Sequence, residues 1–299
     1  MVSISARLTA FALNTTGFAK KNFTGGPDME DRLRALQRRP PDLPSARDRR
    51  RVDIRETTLS GRSVWHFAPK DQAPTAHMLF FHGGGYVMPP SAFHWSFLAH
   101  MAHTHGMAIT APLYPLAPDH HVDEIAAFAL DAYRAFLDSH DGPFIMGGDS
   151  AGAGMTAMVA QAARDQALRS ASGLLLICPW LDASASHPDQ AQLERRDCIL
   201  TIGGIRQAGE AYARPAAPSD PRVSPIHGNW TGLPPILCYA GGADILLTDA
   251  RALKAKLPDI RYIELDNMMH DWPIFFFPES RKAQAEMAKF AAGVGYGVR

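Results

Sequence analysis

The sequence predicts an α/β protein, a mostly parallel sheet with helices on both faces. Two patterns point there. From about residue 76 onward, short apolar runs alternate with helix-patterned segments, the signature of βαβ units. Two of these runs lead straight into glycines, in "FFHGGG" and "FIMGGDSAGAG", where a strand must turn sharply. A chain of 299 residues, 46% hydrophobic and 20% charged, can bury the core that such a sheet needs. Its thirty basic residues balance thirty acidic ones, so no net field gathers nucleic acid or an anionic membrane.

The N-terminal stretch "MVSISARLTAFALNTTGFAKKNF" is predicted as an amphipathic helix rather than a secretion signal. Asn14, Thr15 and Thr16 break its apolar part, Arg7 alone charges its start, and no small-residue cleavage site follows. Cytoplasmic residence is the expectation, and no apolar run is long enough to span a bilayer. The cysteines Cys178, Cys198 and Cys238 are odd in number and far apart, which suits reduced thiols better than a disulfide framework. Up to about residue 45 the chain is helical patches parted by turn chemistry, with the charged helix "MEDRLRALQRR" between "GGPD" and "RRPPDLP".

"RVDIRETTLS" and "RSVWHFAPK" alternate in polarity around a Ser-Gly turn and predict an antiparallel pair. "AHMLFF" is a strand, "FHWSFLAHMAHTHG" a helix, "MAITAPLYPL" a strand and "VDEIAAFALDAYRAFLDSH" a helix. Strand "FIM" then enters a glycine turn and the helix "AGAGMTAMVAQAARDQAL". "GLLLICPWL" and "PPILCYAGGAD" are further strands. "TDARALKAKL" is a helix with Thr248 as its cap, "IRYIELDNMMH" a last strand with its loop, and "ESRKAQAEMAKFAAGV" a closing helix. Between Asp182 and Ser224 about forty residues carry no strand pattern. An ordinary connection is shorter, so this is an insertion with its own helices. It leaves the sheet where open α/β folds bind ligands, and with the N-terminal helices it would form a lid.

Chemistry concentrates at "GGDSAG". Gly148, Ser150 and Gly152 form G-x-S-x-G between a strand and a helix, the context that exposes a serine nucleophile on a sharp turn. Serine is a weak nucleophile at neutral pH and needs a base, a group to orient the base, and donors for an oxyanion. In the order Ser, Asp, His, two downstream loops supply candidates: Asp244 in "AGGADILL" and His270 in "MMHDWP". "HGGGY" at 82–86 offers amides that no side chain obstructs, and Ala151 supplies the amide after the nucleophile.

"HGGG", "GDSAG", "YPLAPDH" and "SPIHGNWTGLPP" together resemble the hormone-sensitive-lipase-like bacterial esterases of the α/β-hydrolase superfamily, from about Arg51 to the C-terminus. "RRDCILT" is similar to that family's cap. The resemblance implies an eight-stranded sheet, residues 1–45 as part of a helical cap, residues 46–299 as the catalytic domain and a cap insertion at about 183–223. It also implies carboxylesterase activity on acyl esters and no cofactor, while the cap and its bulky residues argue for short- to medium-chain acyl groups; no metal is expected. Ser150, His270 and Asp244 match the family's triad, and Gly83, Gly84, Gly85 and Ala151 its oxyanion region. Dimerisation through an edge strand rests on the resemblance alone. The chain departs from the family at Pro115, often arginine there, and at His121, often proline.

Other residues have blander expectations. Asp249 is a rival acid but suits a helix's first turn. Asp271 is expected as a surface or loop charge, and His82 as a clamp on its loop. His100, His103 and His105 lack the carboxylate or cysteine that would complete a zinc site. Trp272 belongs to the core or to an acyl-pocket wall. Two alternatives share the motifs: an arylformamidase-like amidase, and a small-molecule receptor of the same fold.

Overall fold

The computed structural model describes residues 2–17 and 19–295. Helix α1 (Ile4–Thr16) is capped by the Ser3 hydroxyl, which accepts from the Ala6 amide, and ends at Gly17 in left-handed backbone. Its Ile4, Leu8 and Phe11 face outward. Helices α2 (Met29–Gln37) and α3 (Ala46–Arg51) follow, the second opened by a Ser45–Asp48 capping box. Strands β1 (Val52–Leu59) and β2 (Arg62–Pro69) then pair antiparallel, with Leu59 opposite Arg62. Ser60 and Gly61 connect them, both at positive φ (50° and 77°), the two-residue turn whose twist matches a hairpin.

From there strands and helices take turns. They are β3 (Ala76–Phe81), α4 (Ala92–His105), β4 (Met107–Pro112), α5 (Val122–Ser139), β5 (Ile145–Asp149), α6 (Ala151–Asp165) and β6 (Gly173–Ile177). After α7 (Gln190–Glu194) and α8 (Ile202–Ala213) come β7 (Ile236–Gly241), α9 (Leu247–Lys256), β8 (Arg261–Leu265) and α10 (Pro278–Gly295). One eight-stranded sheet results, in the order β1-β2-β4-β3-β5-β6-β7-β8. Only β2 runs antiparallel to its neighbours; from β4 to β8 the pairing is parallel.

The central strands are buried on both faces. Leu174 and Leu176 of β6 join the apolar layer under α5 and α6, while Leu175 and Ile177 join the layer under α4 and α10. Two strands stop sooner than expected, β4 at Pro112 and β6 at Ile177, where Pro112 and Pro179 lack the amide that would extend a ladder. Cys178 therefore lies just past β6, in left-handed backbone (φ 44°), and not within the strand. Thr248 is not the cap of α9. The helix begins one residue earlier, and the Thr248 hydroxyl donates to the Ile245 carbonyl at 3.2 Å.

The forty-residue segment after β6 carries α7 and α8, and the N-terminal segment lies on α8. Gly26 donates its amide to Gln207 Oε1 at 2.7 Å, and Glu30 pairs with Arg214 at 2.5 Å. The Thr201 hydroxyl donates to the Phe23 carbonyl. A Cβ on Gly204 would lie only 1.6 Å from that carbonyl oxygen, so this crossing requires glycine. Among the described residues, no helix is long and apolar enough to cross a membrane.

Candidate active site

Ser150 stands between β5 and α6 with φ 52° and ψ −119°, a conformation that costs about 1–3 kcal/mol for a residue with a side chain. Hydrogen bonds hold it there. Its amide donates to the Ile177 carbonyl at 2.8 Å, and its carbonyl accepts from the Trp180 amide at 3.0 Å. The flanking glycines are needed for contact. A Cβ on Gly148 would meet the Gly152 carbonyl oxygen at 2.3 Å, and one on Gly152 would meet that of Phe81 at 2.0 Å. Gly152→Ala is therefore expected to lower unfolding free energy by about 2–3 kcal/mol, seen as a lower urea midpoint. An unchanged midpoint would mean that the elbow is looser than its contacts imply.

The loop Gly83–Gly85 is tied down from below. Asp149 is fully buried; its Oδ1 accepts from the Gly83 amide and its Oδ2 from His94 Nε2, each at 3.0 Å. The Ser91 amide donates to His94 Nδ1 at 3.0 Å and so fixes that ring. Burial alone would raise the Asp149 carboxyl, but His94, His82 and the Gly83 amide outweigh it and hold the acid below its ordinary range. Of the three loop glycines expected to face an oxyanion, Gly83 thus has its amide given to Asp149. No hydrogen bond of the Gly84, Gly85 or Ala151 amide occurs among the described residues. Asp149 was not singled out from sequence; its signal was the acid directly before Ser150.

His82 is a clamp, as expected. Its Nδ1 donates to the Gly83 carbonyl at 2.6 Å, and its ring stacks on Tyr114 at 4.2 Å. Burial, then the nearby His94, push the His82 ring down to about 4, so it stays neutral. The Tyr114 hydroxyl donates to the His82 carbonyl at 2.6 Å.

Asp244 and His270 meet. His270 Nδ1 donates to Asp244 Oδ2 at 2.8 Å, and Asp244 Oδ1 accepts from the Leu246 amide at 2.8 Å. Both lie at the same end of the sheet as Ser150, whose amide bonds Ile177. The next residue, Cys178, has its Sγ within 4.8 Å of a ring nitrogen of His270. Ser150 is 5% and His270 3% exposed, so the centre is closed from solvent. The Ser150 hydroxyl makes no hydrogen bond among the described residues, and His270 Nε2 lies 3.0 Å from Asp271 Oδ2. Asp271 is consequently not a surface charge: its side chain is 13% exposed and faces the ring. Burial opposes charging of His270, but the carboxylates of Asp244 and Asp271 outweigh it and hold the imidazole well above its usual 6.5.

The rival acid has other work. Asp249 Oδ2 accepts from the Leu181 and Asp182 amides at 2.7 and 2.8 Å, fastening the loop after β6, and burial pushes its carboxyl up to about 7. Asp197, from "RRDCILT", is a buried acid that sequence reasoning did not single out. Its Oδ2 accepts from the Ile245 amide at 2.9 Å, and its Oδ1 from those of Ile199 and Leu200. It joins the inserted segment to the Asp244 loop. Burial, then the charge of Asp244, push it up to about 6.

His121 Nδ1 meets the Ala211 carbonyl at 3.0 Å, so this departure from the family pattern ties α5 to α8. Trp272 is a core residue: its Nε1 donates to the Ala240 carbonyl at 3.2 Å, and it packs edge-on against Tyr239. Over the first turns of α6, Tyr86 stacks on Tyr212 of α8 at 3.8 Å.

Residues 78–274 match a family model described as the alpha/beta hydrolase fold. An acetyl-hydrolase of Streptomyces hygroscopicus is 31% identical over 215 residues, 69% of this chain and 72% of that protein. An esterase of Acinetobacter venetianus is 30% identical over 253 residues, 81% and 83% of the two chains. A solved hormone-sensitive lipase from a metagenome library superposes with a TM-score of 0.81 at 24% identity, covering 96% and 98%, and so shares the fold. The chain belongs to the α/β-hydrolase fold family, by the length of that match and by these relatives. Like the relatives it matches, the chain is a carboxylic ester hydrolase.

Proposed function

We propose that the protein hydrolyses short- to medium-chain acyl esters through an acyl-enzyme on Ser150. The observation that carries this reading is the Asp244–His270 hydrogen bond at the sheet end where a strained elbow holds Ser150. In the first step the Ser150 proton passes to His270 Nε2 as Oγ bonds to the ester carbonyl carbon. The carbonyl electron pair moves onto oxygen, facing the amides of Gly84, Gly85 and Ala151. One such donor is typically worth about 100- to 1000-fold in rate. Collapse expels the alcohol, which takes the proton from His270; water then repeats the sequence and frees the acid. Asp244 keeps the proton of Nδ1 in place so that Nε2 can accept. For this, Nε2 must turn from Asp271 to Ser150, and catalytic hydrogen bonds commonly tighten only when substrate is bound.

The pH profile tests the arrangement. The base acts when neutral, and two carboxylates favour its charged form. The rising limb of kcat/KM is expected above pH 6.5, alkaline of an ordinary histidine. Asp271→Asn removes one carboxylate and should move the limb to lower pH; an unmoved limb would separate Asp271 from the titrating group.

The preference for short acyl groups is the finer part of the proposal. The bulky rings that stack here, Tyr86 on Tyr212 with Trp180 5.7 Å from Tyr86, support it, and residues 1–45 and 183–223 are proposed as the cap over the centre. Across p-nitrophenyl esters from acetate to palmitate, kcat/KM should peak at the short end. A maximum at palmitate would contradict this part of the proposal.

A further inference from the structure

Around the proposed catalytic base stands a donor set of which ester hydrolysis uses only the imidazole. The Cys178 sulfur, a His270 ring nitrogen and an Asp271 carboxylate oxygen all lie within 4.8 Å of one another. Cys178 is 1% exposed and the Asp271 side chain 13%. Asp271 Oδ1 is buried with no hydrogen-bond partner, a spare acceptor in a place where such atoms are normally satisfied. Asp244 holds His270 Nδ1, which leaves Nε2 as the ligating nitrogen. The same carboxylate–histidine pairing orients histidines that bind metal.

We propose that Cys178, His270 and Asp271 form a binding site for a zinc-class divalent cation, which takes the lone pair of the base and switches hydrolysis off. One sulfur, one imidazole and one carboxylate suit a borderline-soft ion; calcium and magnesium prefer all-oxygen sets. Metal–ligand bonds of about 2.0–2.3 Å put tetrahedral donors roughly 3.5 Å apart, so the trio needs only a small inward movement of side chains. Three protein ligands leave a fourth position for water. On binding, the Cys178 thiol and the charged His270 ring (from Nε2) each release a proton to solvent as the sulfur–metal and nitrogen–metal bonds form, with no change of oxidation state. Nε2 then has no free electron pair for the Ser150 proton. The inhibitory consequence rests on the proposed role of His270; the binding of the ion does not.

Cobalt(II) serves as the spectroscopic probe and zinc(II) as the inhibitor, both added to the full chain after chelator treatment. One equivalent of cobalt should give a thiolate-to-metal charge-transfer band in the near ultraviolet, absent in Cys178→Ser. Zinc should inhibit p-nitrophenyl acetate hydrolysis reversibly, with chelator restoring it. Cys178→Ser should keep its metal-free turnover and need at least about tenfold more zinc for the same inhibition. Cys178→Gly, which suits the left-handed backbone at φ 44°, carries the same comparison if the serine variant does not fold. A wild-type protein with no thiolate band, or a Cys178 variant inhibited at unchanged zinc, overturns the proposal. A clear band in a protein that hydrolyses no ester would instead overturn the proposed function and leave the cation site standing.

Discussion

Ser150→Ala is expected to lower turnover of a p-nitrophenyl butyrate by on the order of 10⁴ to 10⁶. The size follows from what the substitution leaves. The loop amides and the substrate-binding surface persist, so rate above water survives, but no oxygen remains to receive the acyl group. The urea midpoint should barely move, since the hydroxyl makes no hydrogen bond among the described residues and the elbow is held by the backbone of Ser150. Covalent labelling by a fluorophosphonate should vanish in the variant. That labelling also separates a hydrolase from a small-molecule receptor of the same fold, which has no activated serine. Near-normal turnover in Ser150→Ala would end the assignment of the nucleophile.

Asp244→Asn should cost about 10³- to 10⁴-fold in kcat with little change in KM. The carboxylate accepts the Nδ1 proton of His270 at 2.8 Å. An asparagine can turn its NH₂ toward the ring, which makes Nδ1 an acceptor and puts the ring proton on Nε2. That tautomer cannot take a proton from Ser150. The contrast is Asp249→Asn, which disturbs the loop at Leu181 and Asp182 and so should lower stability more than kcat. If Asp249→Asn abolished turnover and Asp244→Asn did not, the two acids would exchange roles.

Most of the fold was legible because its elements obey simple periods. β6 and β7 are short apolar runs, and their burial on both faces explains why they lack alternation. The hairpin was legible from Ser60-Gly61, and the elbow from glycines whose places no Cβ can take. What was not legible depends on contacts between distant residues. Asp271 looked like a loop charge because its neighbours in sequence do not reveal that its backbone, at φ 53°, aims the carboxylate back at His270. Gly83 looked like an open amide donor until Asp149, 66 residues on, was found beneath it. Asp197 reads locally as a turn acid accepting the Ile199 and Leu200 amides; its link to the Ile245 amide beside Asp244 spans 48 residues and leaves no trace in the sequence. The cap of α9 was misjudged by two residues, since it is Leu246 and not Thr248, the ordinary uncertainty of helix ends.

The most direct measurement is a crystal structure of the protein after reaction with a phosphonate ester. Phosphorus should be bonded to Ser150 Oγ, its charged oxygen within hydrogen-bonding distance of the Gly84, Gly85 and Ala151 amides. His270 Nε2 should have left Asp271 to face the adduct, with Nδ1 still on Asp244. An adduct on any other residue, or an imidazole still turned to Asp271 and out of reach of Ser150, would contradict the central claim that this ring is the base for this serine.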